Sequence, residues 1–295
     1  MLTTQQSDFG RGPAIWQTFG QGSEPLLFAA ANGFPIGSYQ TFLSHFKYDY
    51  RIAGLENRGM WGNAHPPRNF TWRDHADDLI AFLDHQADFN SQPVIAMGHS
   101  IGGTVLALAA VKRPDLFKAV LMFDPATIPG RFLPMLASLA PTQVMGRTNL
   151  VKRTKNRQQL WPSRQAFIDY HRHKAAYRHF SEPAFTEYAE AGLIEQTDGQ
   201  FKLAYSREWE AHNFQHTYSP WQTLRHIQVP SLILRAEHSY LHKPKEFESR
   251  VKRLPANVSH QVIQGVGHMA LQEDGEQVVK LSRDWLSANK LLAAS

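Results

Sequence analysis

The sequence predicts an α/β protein with a mostly parallel central sheet that is flanked by helices and carries an inserted helical cap. Short apolar runs alternate with segments of helical periodicity over residues 1–127 and again over 221–295. Strands separated by helices are typical of βαβ units, which place parallel strands in one sheet. Between 128 and 220 this alternation stops, and the segment is aromatic, basic and helix-like without a clear strand. We therefore expect one core, 1–127 with 221–295, and a helical cap over 128–220.

The individual elements of the core follow from the spacing of apolar residues. Apolar runs of strand length predict strands at Ala14–Phe19, Leu26–Ala31, Tyr50–Leu55, Pro93–Met97, Ala119–Phe123, Val229–Leu234 and Val258–Ile263. Apolar residues at a helical period predict helices at Trp72–His85, Gly102–Val111, Pro244–Lys252 and Glu276–Leu286. The second of these helices is almost wholly apolar, which indicates burial on both sides.

Composition limits the classes of function. The chain has 295 residues, 42% of them hydrophobic, so it can bury a full core. A net charge of +5 is spread along the chain, so we expect no nucleic-acid partner. The chain has no cysteine, which excludes thiolate catalysis and disulfides. With neither a secretory leader nor an apolar run of membrane-spanning length, we expect a cytoplasmic protein without stable membrane insertion, as a monomer or homodimer.

Ser100 is the first candidate catalytic residue. It follows a predicted apolar strand, precedes a predicted apolar helix and has Gly98 and Gly102 two residues away on either side. A sharp strand-to-helix turn lifts a serine hydroxyl out of the sheet, and bulk at the flanking positions would clash with neighbouring backbone. The helix that begins there also offers free N–H groups to developing negative charge. The pattern predicts a nucleophilic serine.

The segment Gly98–Gly103 resembles the nucleophile elbow of the α/β-hydrolase superfamily. Asn32–Pro35 is similar to the His-Gly-x-Pro turn of that superfamily, with Asn in place of the usual His, and Arg58-Gly59 and Gly267-His268 match two further segments. The resemblance covers nearly the whole chain outside the cap. It implies the α/β-hydrolase fold and a serine esterase or lipase-like enzyme without a cofactor or a metal. It also implies an oxyanion hole formed by the backbone N–H groups of Phe34 and Ile101.

His268 is the predicted base. It lies late in the chain on a glycine-flanked loop, after the last predicted strand and before the last predicted helix. That position agrees with the order serine, acid, histidine that this fold uses. His99 is adjacent to the nucleophile, but we expect its side chain to point away from Oγ of Ser100 and to serve in packing or in support of the oxyanion loop.

The acid of the triad departs from the pattern. Most members of the superfamily place an Asp in the loop after the strand that corresponds to Val229–Leu234, and here Ser239 or Tyr240 stands at that position. Two carboxylates can substitute. Asp124 ends the strand Ala119–Phe123, where haloalkane dehalogenases have their acid, and Glu237 lies near the usual loop. We favour Asp124 and keep Glu237 as the alternative.

The aromatic residues of the cap predict an apolar pocket over Ser100, and Asn32, Trp61 and His99 are predicted to contribute to it from the core. The expected substrate is a small hydrophobic ester or related acyl compound, cleaved through an acyl-enzyme. Two other functions remain open: a C–C bond hydrolase or lyase that uses the same triad, and a non-catalytic ligand-binding protein of the same fold.

Overall fold

The computed structural model describes residues 2–62, 65–128 and 144–292. Two β-sheets contain the strands of these residues. The strands are β1 (Thr3–Asp8), β2 (Pro13–Phe19), β3 (Glu24–Ala29), β4 (Tyr50–Leu55), β5 (Val94–His99), β6 (Phe117–Phe123), β7 (Leu160–Trp161), β8 (Leu193–Glu195), β9 (Phe201–Leu203), β10 (Ser231–Ala236) and β11 (Val258–Ile263).

The large sheet has the strand order β1-β2-β4-β3-β5-β6-β10-β11 across the described ranges. From β4 to β11 every neighbouring pair is parallel, whereas β2 is antiparallel to both β1 and β4. The mostly parallel sheet predicted from the alternation of elements is therefore confirmed. The crossovers between β3, β5 and β6 place the carboxyl ends of adjacent strands at one edge, where α/β sheets bind ligands.

Helices cover both faces of this sheet. In the described residues the α-helices are α1 (Gln40–Ser44), α2 (Trp72–His85), α3 (Ala87–Asn90), α4 (Ile101–Lys112), α5 (Asn149–Lys155), α6 (Arg164–Arg172), α7 (Glu182–Gly192), α8 (Arg207–Gln215), α9 (Trp221–Leu224), α10 (Pro244–Val251), α11 (Ala270–Glu273) and α12 (Gly275–Ala288). Helix α4 is buried along most of its length, as its apolar sequence predicts. Neither this helix nor any other in the described ranges is long and apolar enough to cross a membrane.

Alternating residues of the central strands supply two separate apolar clusters. In β3, Leu26 and Phe28 belong to one cluster, while Leu27 and Ala29 belong to the other. Because successive side chains of a strand point to opposite faces, the two clusters lie on the two sides of the sheet. The sheet is thus buried on both faces, which is typical of parallel sheets.

Strand β1 was missed by the sequence analysis. Its sequence is almost entirely polar, and most of its residues are exposed. Among the described strands it lies at the sheet edge and pairs with β2 alone. An edge strand that buries no side chain has no apolar alternation to reveal it.

The segment 128–220, expected to hold helices without a strand, needs a correction. Its described part contains α5 to α8 but also a small antiparallel sheet in the order β7-β9-β8. These strands have two or three residues each, too short for a period-two pattern to be recognised in the sequence. Residues 129–143 of the predicted cap lie outside the described residues, and the division into core and cap stays a prediction.

Candidate active site

Ser100 lies on the turn between β5 and α4. Its φ of 55° and ψ of −119° are unusual for a non-glycine residue. A Cβ at Gly98 would lie 2.6 Å from the Gly102 carbonyl carbon, and one at Gly102 would lie 2.1 Å from the Ala29 carbonyl oxygen. The glycines are therefore required by close backbone approach, which is the reason that the sequence analysis gave for them. The Ser100 side chain is buried except for a small fraction of its surface.

One side chain, His268, contacts Ser100, and a second, Asp124, contacts His268. His268, on the loop after β11, has Nε2 3.0 Å from Oγ of Ser100 and Nδ1 2.6 Å from Oδ2 of Asp124. Because Nδ1 faces a carboxylate, the neutral ring carries its proton there, and Nε2 accepts the hydrogen bond from the serine hydroxyl. The three residues form one hydrogen-bonded chain, in which a histidine could take the proton of the serine.

Asp124 follows β6 and is fully buried. Its Oδ1 accepts the backbone N–H of Ala236 at 3.0 Å, and its Oδ2 accepts the hydroxyl of Ser239 at 2.7 Å. Burial alone would raise the pKa of this carboxyl, but the hydrogen bond from His268, the nearby His242 and the Ser239 hydroxyl together hold it below its ordinary value. The group is therefore a carboxylate at neutral pH, the form needed to orient and stabilise a histidine.

Glu237, the alternative acid, lies elsewhere. It follows β10, its side chain is exposed, and its Oε2 accepts the backbone N–H of Gly265 at 2.7 Å. That contact joins two surface loops and leaves Asp124 as the carboxylate in contact with His268.

Ser239 was not recognised as a functional candidate, although the sequence held a signal. Either Ser239 or Tyr240 stands at the loop position where the superfamily usually has its acid, and neither side chain can act as the acid itself. In the structure its hydroxyl donates to the same oxygen of Asp124 that faces His268. A residue of the loop that usually carries the acid thus bonds to the carboxylate that contacts His268.

The two predicted oxyanion donors differ in their surroundings. Ile101 is the first residue of α4, and the N–H groups in the first turn of a helix have no acceptor within that helix. The N–H of Phe34 donates to the carbonyl of Ala31 at 3.2 Å and closes a turn in which Gly33 has a φ of 80°. Both groups stay predictions as oxyanion donors, and Phe34 would have to share its hydrogen between the turn and a substrate oxygen.

His99, predicted either to contribute to the pocket or to pack and support the oxyanion loop, bonds to the protein through both ring nitrogens. Its side chain has no exposed surface. Its Nε2 donates to the carbonyl of His268 at 2.8 Å, and its Nδ1 accepts the hydroxyl of Tyr39 at 2.9 Å. Tyr39 in turn accepts the N–H of Ala31 at 3.1 Å, so this chain joins the loop of the base to the turn of Phe34. No sequence signal pointed to Tyr39.

The other two predicted pocket residues also bond to the protein. Trp61 is 4% exposed, donates its indole N–H to the carbonyl of Glu56 at 2.8 Å and packs edge-on against Phe9. Asn32 is partly buried, and both polar atoms of its amide have protein partners. A role of Trp61 and Asn32 in contacting the substrate stays a prediction. Their hydrogen bonds to the protein do not favour it.

Aromatic rings from the predicted cap lie against the turn of Phe34. The ring of Phe34 stacks on that of Tyr188 with centroids 4.5 Å apart, and Tyr177 and Phe180 lie at 6.2 and 6.3 Å. No group of three or more His, Asp or Glu that could hold a metal ion occurs in the ranges that the structure describes.

Comparison with known proteins identifies the family. Residues 13–281 match the family described as "Alpha/beta hydrolase family". The chain belongs to this alpha/beta hydrolase family. Its fold resembles the crystal structure of E-2-(acetamidomethylene)succinate hydrolase with a TM-score of 0.79 at 20% identity, over 97% of this chain and 100% of the other. A likeness at this identity shows the fold alone.

Curated relatives of this alpha/beta hydrolase include a thioesterase and a lipase. The type I acyl-CoA thioesterase mpaH' of Penicillium brevicompactum is 28% identical over 120 residues, which is 40% of this chain and 25% of the relative. Lipase LipV of Mycobacterium tuberculosis is 35% identical over 86 residues, 28% of this chain and 31% of the relative. The matched part thus spans about a quarter to a third of the length of these relatives.

Proposed function

We propose that the protein is a serine hydrolase that cleaves a carboxylic ester or thioester of a small hydrophobic acyl group through an acyl-enzyme. The observation that carries the proposal is the hydrogen-bonded chain from Ser100 through His268 to Asp124, with distances of 3.0 and 2.6 Å. A serine needs an adjacent base to act as a nucleophile at neutral pH, and the base needs an orienting group.

In the first half-reaction, Oγ of Ser100 attacks the substrate carbonyl carbon while Nε2 of His268 takes the hydroxyl proton. The carboxylate of Asp124 accepts the Nδ1 hydrogen throughout and stabilises the imidazolium that forms. The carbonyl oxygen becomes an oxyanion held by the N–H groups of Ile101 and Phe34. Such donors typically contribute about 3 to 4 kcal/mol each to the transition state. When the carbon–oxygen or carbon–sulfur bond breaks, the leaving group takes the proton from His268.

In the second half-reaction, water attacks the acyl-enzyme and His268 takes one of its protons. The carbon bears an oxyanion again, and the same two N–H groups hold it. Collapse of this intermediate breaks the bond to Oγ of Ser100, which recovers its proton from His268. The products are a carboxylic acid and the free enzyme, so no cofactor is needed for the balance.

The substrate class rests on the surroundings of the site. The aromatic cluster of Phe34, Tyr177, Phe180 and Tyr188 includes the predicted oxyanion donor Phe34. It supports an apolar acyl group, because rings of this kind bury apolar surface well. The relatives named as an acyl-CoA thioesterase and a lipase support a thioester or an ester as the scissile bond.

A fluorophosphonate probe tests the proposal. We expect the wild-type protein to be labelled at Ser100 and to hydrolyse short-chain aryl esters or acyl thioesters. Ser100→Ala should lose both properties, whereas Ser44→Ala, which removes an exposed hydroxyl bonded to the Thr41 carbonyl, should retain them. An unlabelled wild type whose activity is unaffected by Ser100→Ala would refute the proposal. Activity on diketones alone would favour C–C bond hydrolysis instead.

A further inference from the structure

The side-chain amide of Asn32 is bonded to the segment predicted as the cap. Its Nδ2 donates to the carbonyl of Glu210 at 2.9 Å. Its Oδ1 accepts from Nδ2 of Asn213 at 2.9 Å and from the hydroxyl of Tyr205 at 3.2 Å. Glu210 and Asn213 lie on α8, and Tyr205 lies just before it. These three bonds use both polar atoms of the amide and direct the side chain toward α8.

Gly33 meets the same helix. A Cβ at this position would lie 2.8 Å from Oε1 of Glu210, so the carboxylate packs directly on the backbone of the turn. The other oxygen of Glu210 accepts from Arg157 of the neighbouring segment at 2.8 Å, and both side chains are largely buried. Paired buried charges hold a defined geometry, because breaking the pair leaves one charge without compensation.

Phe34 completes the contact. Its ring stacks on Tyr188 of α7 with an interplanar angle of 18°, and the hydroxyl of Tyr188 accepts a 2.5 Å hydrogen bond from Arg157. Three consecutive residues of the turn, Asn32, Gly33 and Phe34, are therefore each held by residues between 157 and 213. The hydrogen bond from the Phe34 N–H to the Ala31 carbonyl makes the turn one unit.

We propose that Asn32 and Glu210 are positioning residues through which the predicted cap sets the place of the Phe34 N–H in the oxyanion hole. The inference rests on the proposed function, since it concerns the oxyanion of that reaction. In this proposal Asn32 acts through the turn and not through contact with the substrate. Because one hydrogen bond closes the turn between Ala31 and Phe34, we expect loss of the contacts with α8 to displace the donor. Loss of one such donor typically lowers kcat by about 10²-fold or more.

Asn32→Ala tests this by its effect on catalysis. We expect kcat to fall by about 10²-fold with KM changed by less than about threefold, and the affinity for a trifluoromethyl ketone, which forms an oxyanion on Ser100, to fall in parallel. Glu210→Gln should change both quantities in the same direction. Glu208→Gln is the matched control, since Glu208 lies on the same helix and pairs with Arg207 at the surface. An unchanged kcat, or a loss confined to KM, would overturn the inference.

Hydrogen exchange measured by mass spectrometry provides a readout that does not depend on activity. Asn32→Ala should accelerate exchange in the peptide 31–36 while β5 and β6 stay protected, because only the hydrogen bonds between the turn and the segment 205–213 are lost. Asn32→Asp, which keeps the size and the acceptor but removes the donor, should give the same result if the alanine variant does not fold. Unchanged exchange in a folded variant would overturn the inference. Failure of the wild type to react with a fluorophosphonate would refute the proposed function. The hydrogen-exchange result would then still test whether Asn32 positions the turn.

Discussion

Oδ2 of Asp124 lies 2.6 Å from Nδ1 of His268, and it also accepts the hydroxyl of Ser239 at 2.7 Å. The carboxylate comes from the end of β6, whereas the hydroxyl comes from the loop after β10, the next strand in the sheet. Since the two strands are adjacent and parallel, their carboxyl ends reach the same point beside the histidine. A carboxylate at either strand end can thus face the same ring nitrogen.

Replacement of Asp124 by Asn tests the assignment of the acid. The amide keeps the shape but cannot stabilise the imidazolium, and it favours the wrong tautomer of His268, so we expect kcat for an aryl ester to fall by about 10⁴-fold. Glu237→Gln is the matched control and should leave kcat nearly unchanged, because Glu237 bonds to Gly265 at the surface. A severe loss in Glu237→Gln together with a nearly active Asp124→Asn would transfer the role to Glu237.

The hydroxyl of Ser239 should matter less than the carboxylate that it bonds. Ser239→Ala removes one hydrogen bond to an ionised group, which typically contributes about 1.5 to 3 kcal/mol, so we expect kcat to fall by roughly 10-fold or more. The pKa of Asp124 should also rise in this variant, since the hydrogen bond helps to lower it, and titration of the carboxyl followed by NMR measures the change.

The position of Ser239 also permits a rescue experiment. In the double variant Asp124→Asn with Ser239→Asp, a carboxylate enters from the neighbouring strand end and can accept the Nδ1 hydrogen of His268. We expect kcat of the double variant to be at least 10-fold higher than that of Asp124→Asn alone. The measurement is steady-state ester hydrolysis by the two single variants and the double variant. No recovery in a folded double variant would mean that the site accepts a carboxylate only from β6.

Local sequence predicted the parts of the site that depend on local geometry. Ser100 was recognisable because the close approach of the backbone requires glycine at two positions within five residues. His268 was recognisable because its glycine-flanked loop follows the last strand. The sequence favoured Asp124 but left Glu237 open, because the choice depends on which carboxylate lies nearest to a ring 144 residues beyond Asp124.

The remaining differences have the same physical origin. The interaction of Asn32 with Glu210 and Asn213 joins residues 178 and 181 positions apart, and no periodicity encodes such a contact. Tyr39 carries no motif, and its role depends on where the sheet places His99. The large sheet was predictable because burial on both faces requires long apolar runs, whereas the polar edge strand β1 had no such constraint.

His99 is expected to support catalysis without ionising. Burial lowers its pKa to about 3, so the ring is neutral at working pH and holds the His268 carbonyl and the Tyr39 hydroxyl. His99→Phe keeps a ring but removes both nitrogens, and we expect kcat to fall by about 10-fold at every pH from 5 to 9. Tyr39→Phe, which removes one hydroxyl, should have a smaller effect. A full rate in His99→Phe would show that the loop of His268 holds its position unaided.

Glu56 is expected to make stability fall as pH rises. It is 2% exposed, both carboxyl oxygens lie 3.1 Å from the Ile36 N–H, and burial raises its pKa from 4.5 to about 7 against the opposing effect of that hydrogen bond. The folded state therefore binds a proton more tightly than the unfolded chain between these values. The stability from the neutral group is present below about pH 4.5 and is lost as pH rises toward 7.

Glu56→Gln removes this ionisation while its carbonyl oxygen can still accept the Ile36 N–H. Relative to the wild type, its free energy of unfolding in urea should increase by up to about 3 kcal/mol between pH 5 and pH 8, the value of a shift of this size. Glu182→Gln provides a contrast of opposite sign, because the ion pair with Arg172 lowers the pKa of Glu182 and its stabilising effect is present at high pH. Parallel stability curves for Glu56→Gln and the wild type would mean that Glu56 is already ionised in the folded protein at pH 5.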